Sequence, residues 1–386
     1  MVKEIKVKPS TIFYFVSILV LTKPDYIGSI SSINRVYNIL LPIILLLIFL
    51  LAIKNKIFDK IIFYIILFYI SIFIPTIIYA GDLYSVFMSF IIVFSYYLLI
   101  SLGIRKDGLE FLKIISFIYF LYNIVNFLTI VLFPNGLFML EAVEKSWLLG
   151  HKNGIIKWIL PGFLFISVTD MLASNKFKIS SWIYLVIMVI SIFMSKSTTS
   201  IISILILLLL LFFVLKKDAN LNFIKIKSSV VLNIIFFIAI VILRMQNKFI
   251  YIINYFGKTI GFTGRDKLWD RILIYIREKP FFGNGFSNIN IMRYRLKYTN
   301  VSSHNLMLDY LYEGGIVCLL LFINILYTFE KKIKLLESRK IQRLIYIIFF
   351  CFSIIWLTET FLNKNMLNIF AIIAFGSNLY FVKAQK

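Results

Sequence analysis

The sequence predicts an all-α fold, a polytopic membrane helix bundle of about twelve transmembrane helices with one large extracytoplasmic loop that contains an amphipathic helix. Three observations predict it: 61% of the 386 residues are hydrophobic, only 15% are charged, and the apolar residues gather into long runs. Soluble chains hold about 45–50% apolar and about 25% charged residues, and a bilayer core about 30 Å thick needs about 20 apolar residues per helix. The mean hydropathy of +0.92 agrees. Only Cys318 and Cys351 are present, each inside an apolar run, which excludes a disulfide framework and a cysteine metal cluster.

Runs bounded by charge, Pro or Gly fall in round limits at 10–28, 36–53, 61–79, 83–103, 110–133, 154–173, 179–195, 197–215, 228–243, 305–329, 341–358 and 366–382. In the first, the continuous apolar core Ile12–Leu21 is short and Pro24 interrupts the remainder of the run. Lys23-Pro24-Asp25 comes straight after that core with no A-x-A-like cleavage site, which reads as a retained anchor and not a signal peptide. The whole of 1–386 is thus expected to be one integral membrane domain.

Short cytoplasmic loops carry the Lys/Arg excess of a membrane protein. Loop by loop, one side, which takes both termini, holds 23 basic residues and the short loops of the other hold six, so both termini are expected in the cytoplasm. The net charge of +23 is therefore explained by topology, not by nucleic-acid binding. The exception is 244–303, the longest hydrophilic segment, with 11 basic and three acidic residues. Long loops escape the charge rule, and this one is expected to be the large extracytoplasmic loop between the ninth and tenth runs. Its Trp269, Phe281, Phe282 and Phe286 argue against disorder.

Six of the ten arginines, Arg244, Arg265, Arg271, Arg277, Arg293 and Arg295, lie in this loop. A guanidinium fork grips phosphate or carboxylate with two parallel bonds, so an anion is the expected partner; a loop resting on anionic headgroups is the alternative. Thr263-Gly264-Arg265-Asp266 reads as a capping box that starts a helix running to Lys279 and stopped by Pro280. Its apolar Trp269, Ile272, Leu273 and Ile276 face one way, as in a helix lying in the membrane interface, with Arg265 in its first turn at headgroup depth. Gly283-Asn284-Gly285 comes next, either an ordinary turn or an anion nest of exposed amides.

The loop closes at Ser302-Ser303-His304-Asn305, just before the tenth run. His304 is one of two histidines and stands where water meets the membrane; its role is catalytic or structural. Asn305, Asp309 and Glu313 recur along one stripe of that run, for substrate binding or for packing and charge pairing. Elsewhere, His151, Lys152 and Asn153 precede the sixth run, inside which Lys157 lies, and Lys196-Ser197-Thr198-Thr199-Ser200 makes a turn with a cation over the bundle mouth. His151 reads as interfacial. No zinc-ligand spacing, D-x-D or Walker-type loop occurs, so neither a metal nor a nucleotide cofactor is expected, and any glycosyl or phosphoryl donor must come by another route such as a lipid carrier.

Taken together, "TGRDKLWDRILIYIREKPFFGNGFSN" and "SSHNLMLDYLYEGGIVCLL", late in a multi-span chain, resemble the O-antigen ligase and polymerase superfamily of bacterial membrane glycosyltransferases. The shared pattern is Gly-Arg, Trp, Pro, Gly-x-Gly, then His-Asn before a helix containing Gly; it covers about 60 residues, and the first half of the chain agrees only in hydropathy. The resemblance implies a metal-independent enzyme of the inner membrane that uses glycan linked to undecaprenyl diphosphate. The family's loop arginine falls on Arg265 and its loop histidine on His304, and Lys196 stands where the family often has a Ser-Arg pair. Arg265 is then expected to hold the donor's diphosphate and His304 to act as general base, with Lys196, Arg244, Arg271, Arg293, Arg295, Asn305, Asp309 and Glu313 around the substrate. A polymerase of capsule or O-antigen repeat units, working with a chain-length regulator, is the favoured expectation. A ligase with another acceptor is the alternative, and a lipid-linked oligosaccharide flippase the non-enzyme one, which would place its cations inside the bundle.

Overall fold

The computed structural model describes residues 8–140, 144–215, 224–245, 265–297, 303–359 and 366–385. Apolar chain in lipid closes its backbone hydrogen bonds within each segment, which makes it helical. The helices are α1 (Pro9–Leu21), α2 (Asp25–Ser29), α3 (Ser31–Lys54), α4 (Lys60–Ile78), α5 (Leu83–Asp107), α6 (Leu109–Leu132), α7 (Lys152–Ser174), α8 (Ile179–Ser195), α9 (Thr198–Leu215), α10 (Ile226–Phe237), α11 (Arg265–Glu278), α12 (Ile289–Leu296), α13 (Leu306–Ile333), α14 (Arg339–Ile355) and α15 (Met366–Asn378). Every apolar run contains helix. Six helices, α3 to α7 and α13, are long and apolar enough to cross a membrane, whereas α1, α8, α9, α10 and α15 are apolar but shorter. The chain is a multi-pass membrane protein. In the first run the helix stops at Leu21, and a separate short α2 begins after Pro24.

Among the described residues the one departure from an all-α architecture is a small antiparallel sheet, β1 (Phe138–Leu140), β2 (Glu144–Trp147) and β3 (Gly150–His151), in spatial order β1-β2-β3. It is tied to the bundle at three points. The Trp147 indole donates to the Phe133 carbonyl at 2.8 Å, the Leu149 amide donates to Asn126 Oδ1 at 3.0 Å, and the Tyr26 amide donates to the Leu148 carbonyl at 3.2 Å. The last strand ends on His151, the N-cap of α7, so the sheet sets where α7 begins.

The helix expected from a cap at Thr263 to Lys279 is α11, described from Arg265 and ending one residue earlier, at Glu278; Thr263 and Gly264 of its expected capping box, like most of 244–264, lie outside the described residues. Its apolar face does not rest on the membrane interface. Trp269 and Ile272 are buried, and with Leu268 they form a second core with Phe237 at the end of α10, Val241 in the π-helical turn Ile238–Ile242 that continues it, Met292 and Leu296 of α12, and Leu308 and Tyr312 of α13. Protein covers that face because α11 and α12 fold back onto the start of α13.

α13 is broken. At Gly315 φ is 67° and ψ is −163°, a backbone conformation open only to glycine. A break inside a spanning helix frees amides and carbonyls that lipid cannot bond, each costing several kcal/mol if left alone. The segment after α11 bonds them. The Ile316 and Val317 amides donate to the Pro280 and Phe281 carbonyls at 2.8 and 3.2 Å, and the Asn284 and Gly285 amides donate to the Tyr312 and Glu313 carbonyls at 2.6 and 2.9 Å. The amides of Gly283-Asn284-Gly285 are thus spent on α13 and α11 and form no anion nest. On its other side the segment meets α4, where the Phe286 amide donates to Thr76 Oγ1 at 2.8 Å. No side chain fits at this crossing: a Cβ on Gly315 would lie 2.3 Å from the Phe281 carbonyl, and one on Gly283 2.7 Å from the α13 backbone.

Gly315→Ala should therefore cost about 3 kcal/mol or more, the strain of a glycine-only backbone plus a clash with a main chain that cannot move aside. Gly28→Ala, whose Cβ would meet nothing nearer than 3.6 Å, is the control. Thermal unfolding in detergent measures both, and a Gly315→Ala melting temperature equal to the control's would contradict the stitched break.

Candidate active site

The site lies at the end of the bundle where α7, α9 and α13 begin. The turn before α13 is pinned on both sides of His304. The Trp269 indole of α11 donates to the Ser303 carbonyl at 2.7 Å, Ser303 Oγ donates to the Asn305 carbonyl at 2.7 Å, and the Asn305 amide donates to Ser303 Oγ at 3.0 Å. Asn305 caps α13, its Oδ1 accepting from the Leu308 amide at 3.1 Å, while its Nδ2 donates to the Leu357 carbonyl after α14 at 3.3 Å. Between these anchors His304 takes φ 52°, the left-handed region that L-residues enter at a cost, and the pinned neighbours hold it there.

Arg265, the first residue of α11, reaches across to the end of α14. Its Nη1 donates to the Thr358 carbonyl at 2.7 Å, and its Nη2 stands 3.8 Å from Glu359 Oε1, with the two side chains only 17% and 10% exposed and thus shielded from water. Asn153 Nδ2, in the first turn of α7, donates to the same Glu359 oxygen at 2.8 Å, and Ser197 Oγ donates to Asn153 Oδ1 at 2.7 Å. Thr358 Oγ1 donates to Thr199 Oγ1 at 3.0 Å. Lys157, one turn further along α7 and buried, feels the charges of Glu359, Asp309 and Asp25. Five separate stretches of chain thus put two cations and one carboxylate around a histidine.

That histidine is electrostatically hemmed in. Burial of the ring, and after it the charges of Arg265, Lys157 and His151, push the His304 pKa down to about 3. A free imidazole titrates near 6.5, so below that pH an exposed histidine gains a proton while His304 stays neutral until about pH 3. At rest it is a hydrogen-bonding group and a feeble base. An anion placed between Arg265 and Lys157 would cancel the repulsion and raise its basicity.

The other residues expected at the site are placed elsewhere. Lys196 is exposed at the C-cap of α8, and its neighbours Ser197 and Thr199 make the contacts instead. Arg244 pairs with Asp270 at 2.5 Å and lies over the Trp269 ring at 5.2 Å. Arg271 donates to the Leu296 and Lys297 carbonyls at the end of α12. Arg295 donates to the Asn284 carbonyl at 3.2 Å and to the Tyr79 carbonyl at 2.9 Å. These three brace the fold. Arg293 is exposed on α12. Asp309 and Glu313 are buried on α13 and face a cavity of about 10 Å³ shared with Tyr69, Ser89 and Tyr310. Asp309 is linked to the site through Lys157, whereas Glu313 lies deeper, beside the break.

The structure brings Arg265 and His304 within each other's electrostatic reach, together with Lys157 and Glu359, to which the sequence assigns no role. The available signal was an ionisable residue inside an apolar run, which a membrane protein keeps at a cost. The isolated Lys157, and Glu359 at the edge of its run, both carry it.

Residues 183–323, a little over a third of the chain, match the family model described as O-antigen ligase, a similarity that supports the resemblance to the O-antigen ligase and polymerase superfamily. The match spans α8 to α13 and includes Arg265 and His304; Asn153, Lys157 and Glu359 lie outside it. No curated protein matches the chain.

With only two histidines, ring-labelled protein gives two NMR signals, and His151→Gln assigns them. His304 should remain neutral at pH 5 and move toward ordinary titration when pyrophosphate is added. A His304 signal titrating near pH 6.5 in the absence of anion would contradict the crowded-cation description.

Proposed function

We propose that this chain, an O-antigen ligase/polymerase-type membrane enzyme by the family segment it carries, polymerises oligosaccharide repeat units linked to undecaprenyl diphosphate, for a capsule or O-antigen, at the outer face of a bacterial inner membrane. The observation that carries the reading is the meeting of Arg265 and Lys157 at His304, at one end of the helix bundle. Arg265 stands at a helix start, where backbone amides and the positive dipole end favour a phosphate.

In the reaction, Arg265 and Lys157 hold the donor's diphosphate and stabilise the charge that grows on it as the anomeric C–O bond breaks. The acceptor sugar hydroxyl attacks the anomeric carbon, its new C–O bond forms, and its proton passes to His304. Burial keeps the ring's basicity low and the two cations lower it further; the bound diphosphate offsets the cations' share. Glu359 keeps the cation pair neutralised and positioned, with Asn153 holding the carboxylate.

The second reading is a ligase, favoured by the description of the matching family model; it uses the same donor and site and differs in acceptor. A flippase would move the lipid without forming a bond. Purified protein in vesicles given only lipid-linked repeats separates the three: a ladder of lengthening glycans is expected. Transfer that needs an added acceptor would show a ligase, and translocation without a ladder a flippase.

Within that assay, Arg265→Lys should slow turnover by about a hundredfold or more, as loss of one transition-state contact does. His304→Gln, which keeps a hydrogen bond but cannot take the proton, should bind donor yet lose about 10²–10⁴-fold in rate while His151→Gln stays active. Arg265→Lys at wild-type rate, or His304→Gln above about a tenth of it, would defeat these roles.

The proposed topology, with 244–303 extracytoplasmic and both termini cytoplasmic, rests on the 23-to-six division of basic residues. A cysteine at Lys297 should react with an impermeant thiol reagent in intact cells and one at Lys334 should not; the reverse pattern would invert the topology.

A further inference from the structure

The fully buried residues of α3 are Ile44, Ile48 and Ala52, and none of residues 31–43 is fully buried, although Leu40 and Leu41 pack partly buried on the core. Pro42 lies at the junction, where a missing amide and a ring clash allow a helix to bend. Behind the first half is a cavity of about 230 Å³ between α1, α3, α5, α7 and α15. Its walls are mostly apolar, with Leu21, Leu41, Met88 and Ile92 among them, and Trp158 lies next to the site residue Lys157 in α7. Lys23 is the charged residue of the wall, its Nζ donating to Asn34 Oδ1 at 2.5 Å and lying 5.5 Å from the centre of the Tyr37 ring.

We propose that this cavity binds a length of the apolar chain of a phosphate-headed lipid, with Lys23 and the asparagines beside it at the phosphate. An apolar cavity of about 150 Å³ already takes a benzene ring, whereas sites for whole drug-sized ligands start at about 300 Å³, so the volume suits part of one chain. The cation fixes the sign of the head: a lysine beside tyrosine and asparagine at the end of a membrane-helix cavity matches an anionic headgroup above an apolar tail. The wall is built from the first turns of α3, α5 and α7 and the start of α15, the same bundle end as Arg265 and His304. The proposal does not depend on the glycosyltransferase reading, because it concerns binding alone.

Photo-crosslinking in nanodiscs tests it, with a diazirine-bearing polyprenyl phosphate and a diazirine-bearing phosphatidylglycerol as probes and labelled peptides mapped by mass spectrometry. At least one probe should label 37–41 and 84–92, and the unlabelled lipid should displace it there but not from the lipid-facing Leu46, Leu47 and Leu50, the internal control. That competition uses the unmodified protein. Met88→Trp and Leu41→Trp, filling the cavity from opposite walls, should each reduce wall labelling about tenfold at unchanged control labelling. Lys23→Gln should reduce it about fivefold, the factor matching ~1 kcal/mol of attraction per lysine at a membrane surface. Labelling by the polyprenyl probe would identify a lipid-linked substrate and labelling by phosphatidylglycerol alone a resident phospholipid; either upholds the site. Wall labelling that unlabelled lipid does not displace, or that occurs only at the control face, would overturn it.

Discussion

The interaction on which the rest of the structure depends is the set of backbone hydrogen bonds between residues 280–285 and the broken turn of α13. A spanning helix interrupted at Gly315 cannot leave its freed amides and carbonyls to lipid, and a turn that starts at Pro280 and carries two glycines at positive φ fits against it. Once that segment is stitched in, α11 has little freedom. Its start is held by Arg265 at the end of α14 and its apolar face lies on α13, so its indole reaches the carbonyl that precedes His304. A backbone repair deep in the bundle thereby sets the distance between the loop arginine and the loop histidine.

The site's electrostatics arise from the same placement. Arg265 and Lys157, brought together and largely removed from water, disfavour a proton on His304, and carboxylates offset the two cations: Glu359 beside Arg265, and Glu359, Asp309 and Asp25 in the field of Lys157. What sets Arg265 apart from three other arginines of the loop is its place in the field of His304, since it too bonds a carbonyl, that of Thr358. Guanidinium groups bond carbonyls as readily as phosphates, and Arg271 and Arg295 meet helix-end and loop carbonyls first, while Arg244 meets Asp270.

Much of this was legible in the sequence. The apolar runs found their helices because membrane spans are encoded locally, by length and hydropathy. α11 was readable from its periodicity and from Pro280, and Arg265 and His304 from order and spacing. What was not legible arises from contacts between distant segments. Which face of α11 meets protein depends on α13 folding under it. Glu359 joins the site from the far end of α14, about 200 residues from Asn153, and no local pattern records that meeting. The glycines of 283–285 were read as a turn or an anion nest, because a sequence shows which amides are free to bond and not what will bond them. The sheet at 138–151 escaped because strands of two to four residues carry too little alternation to see.

The central claim is that the anion site consists of Arg265 and Lys157 at His304, and that Arg244, Arg271 and Arg295 serve the fold. Cryo-electron microscopy of the protein in nanodiscs with undecaprenyl diphosphate tests it most directly. The account predicts diphosphate density within hydrogen-bonding distance of Arg265 and Lys157, with Arg271 and Arg295 still on their carbonyls. Density seated on Arg293 or Arg295, with none at Arg265 and Lys157, would contradict it.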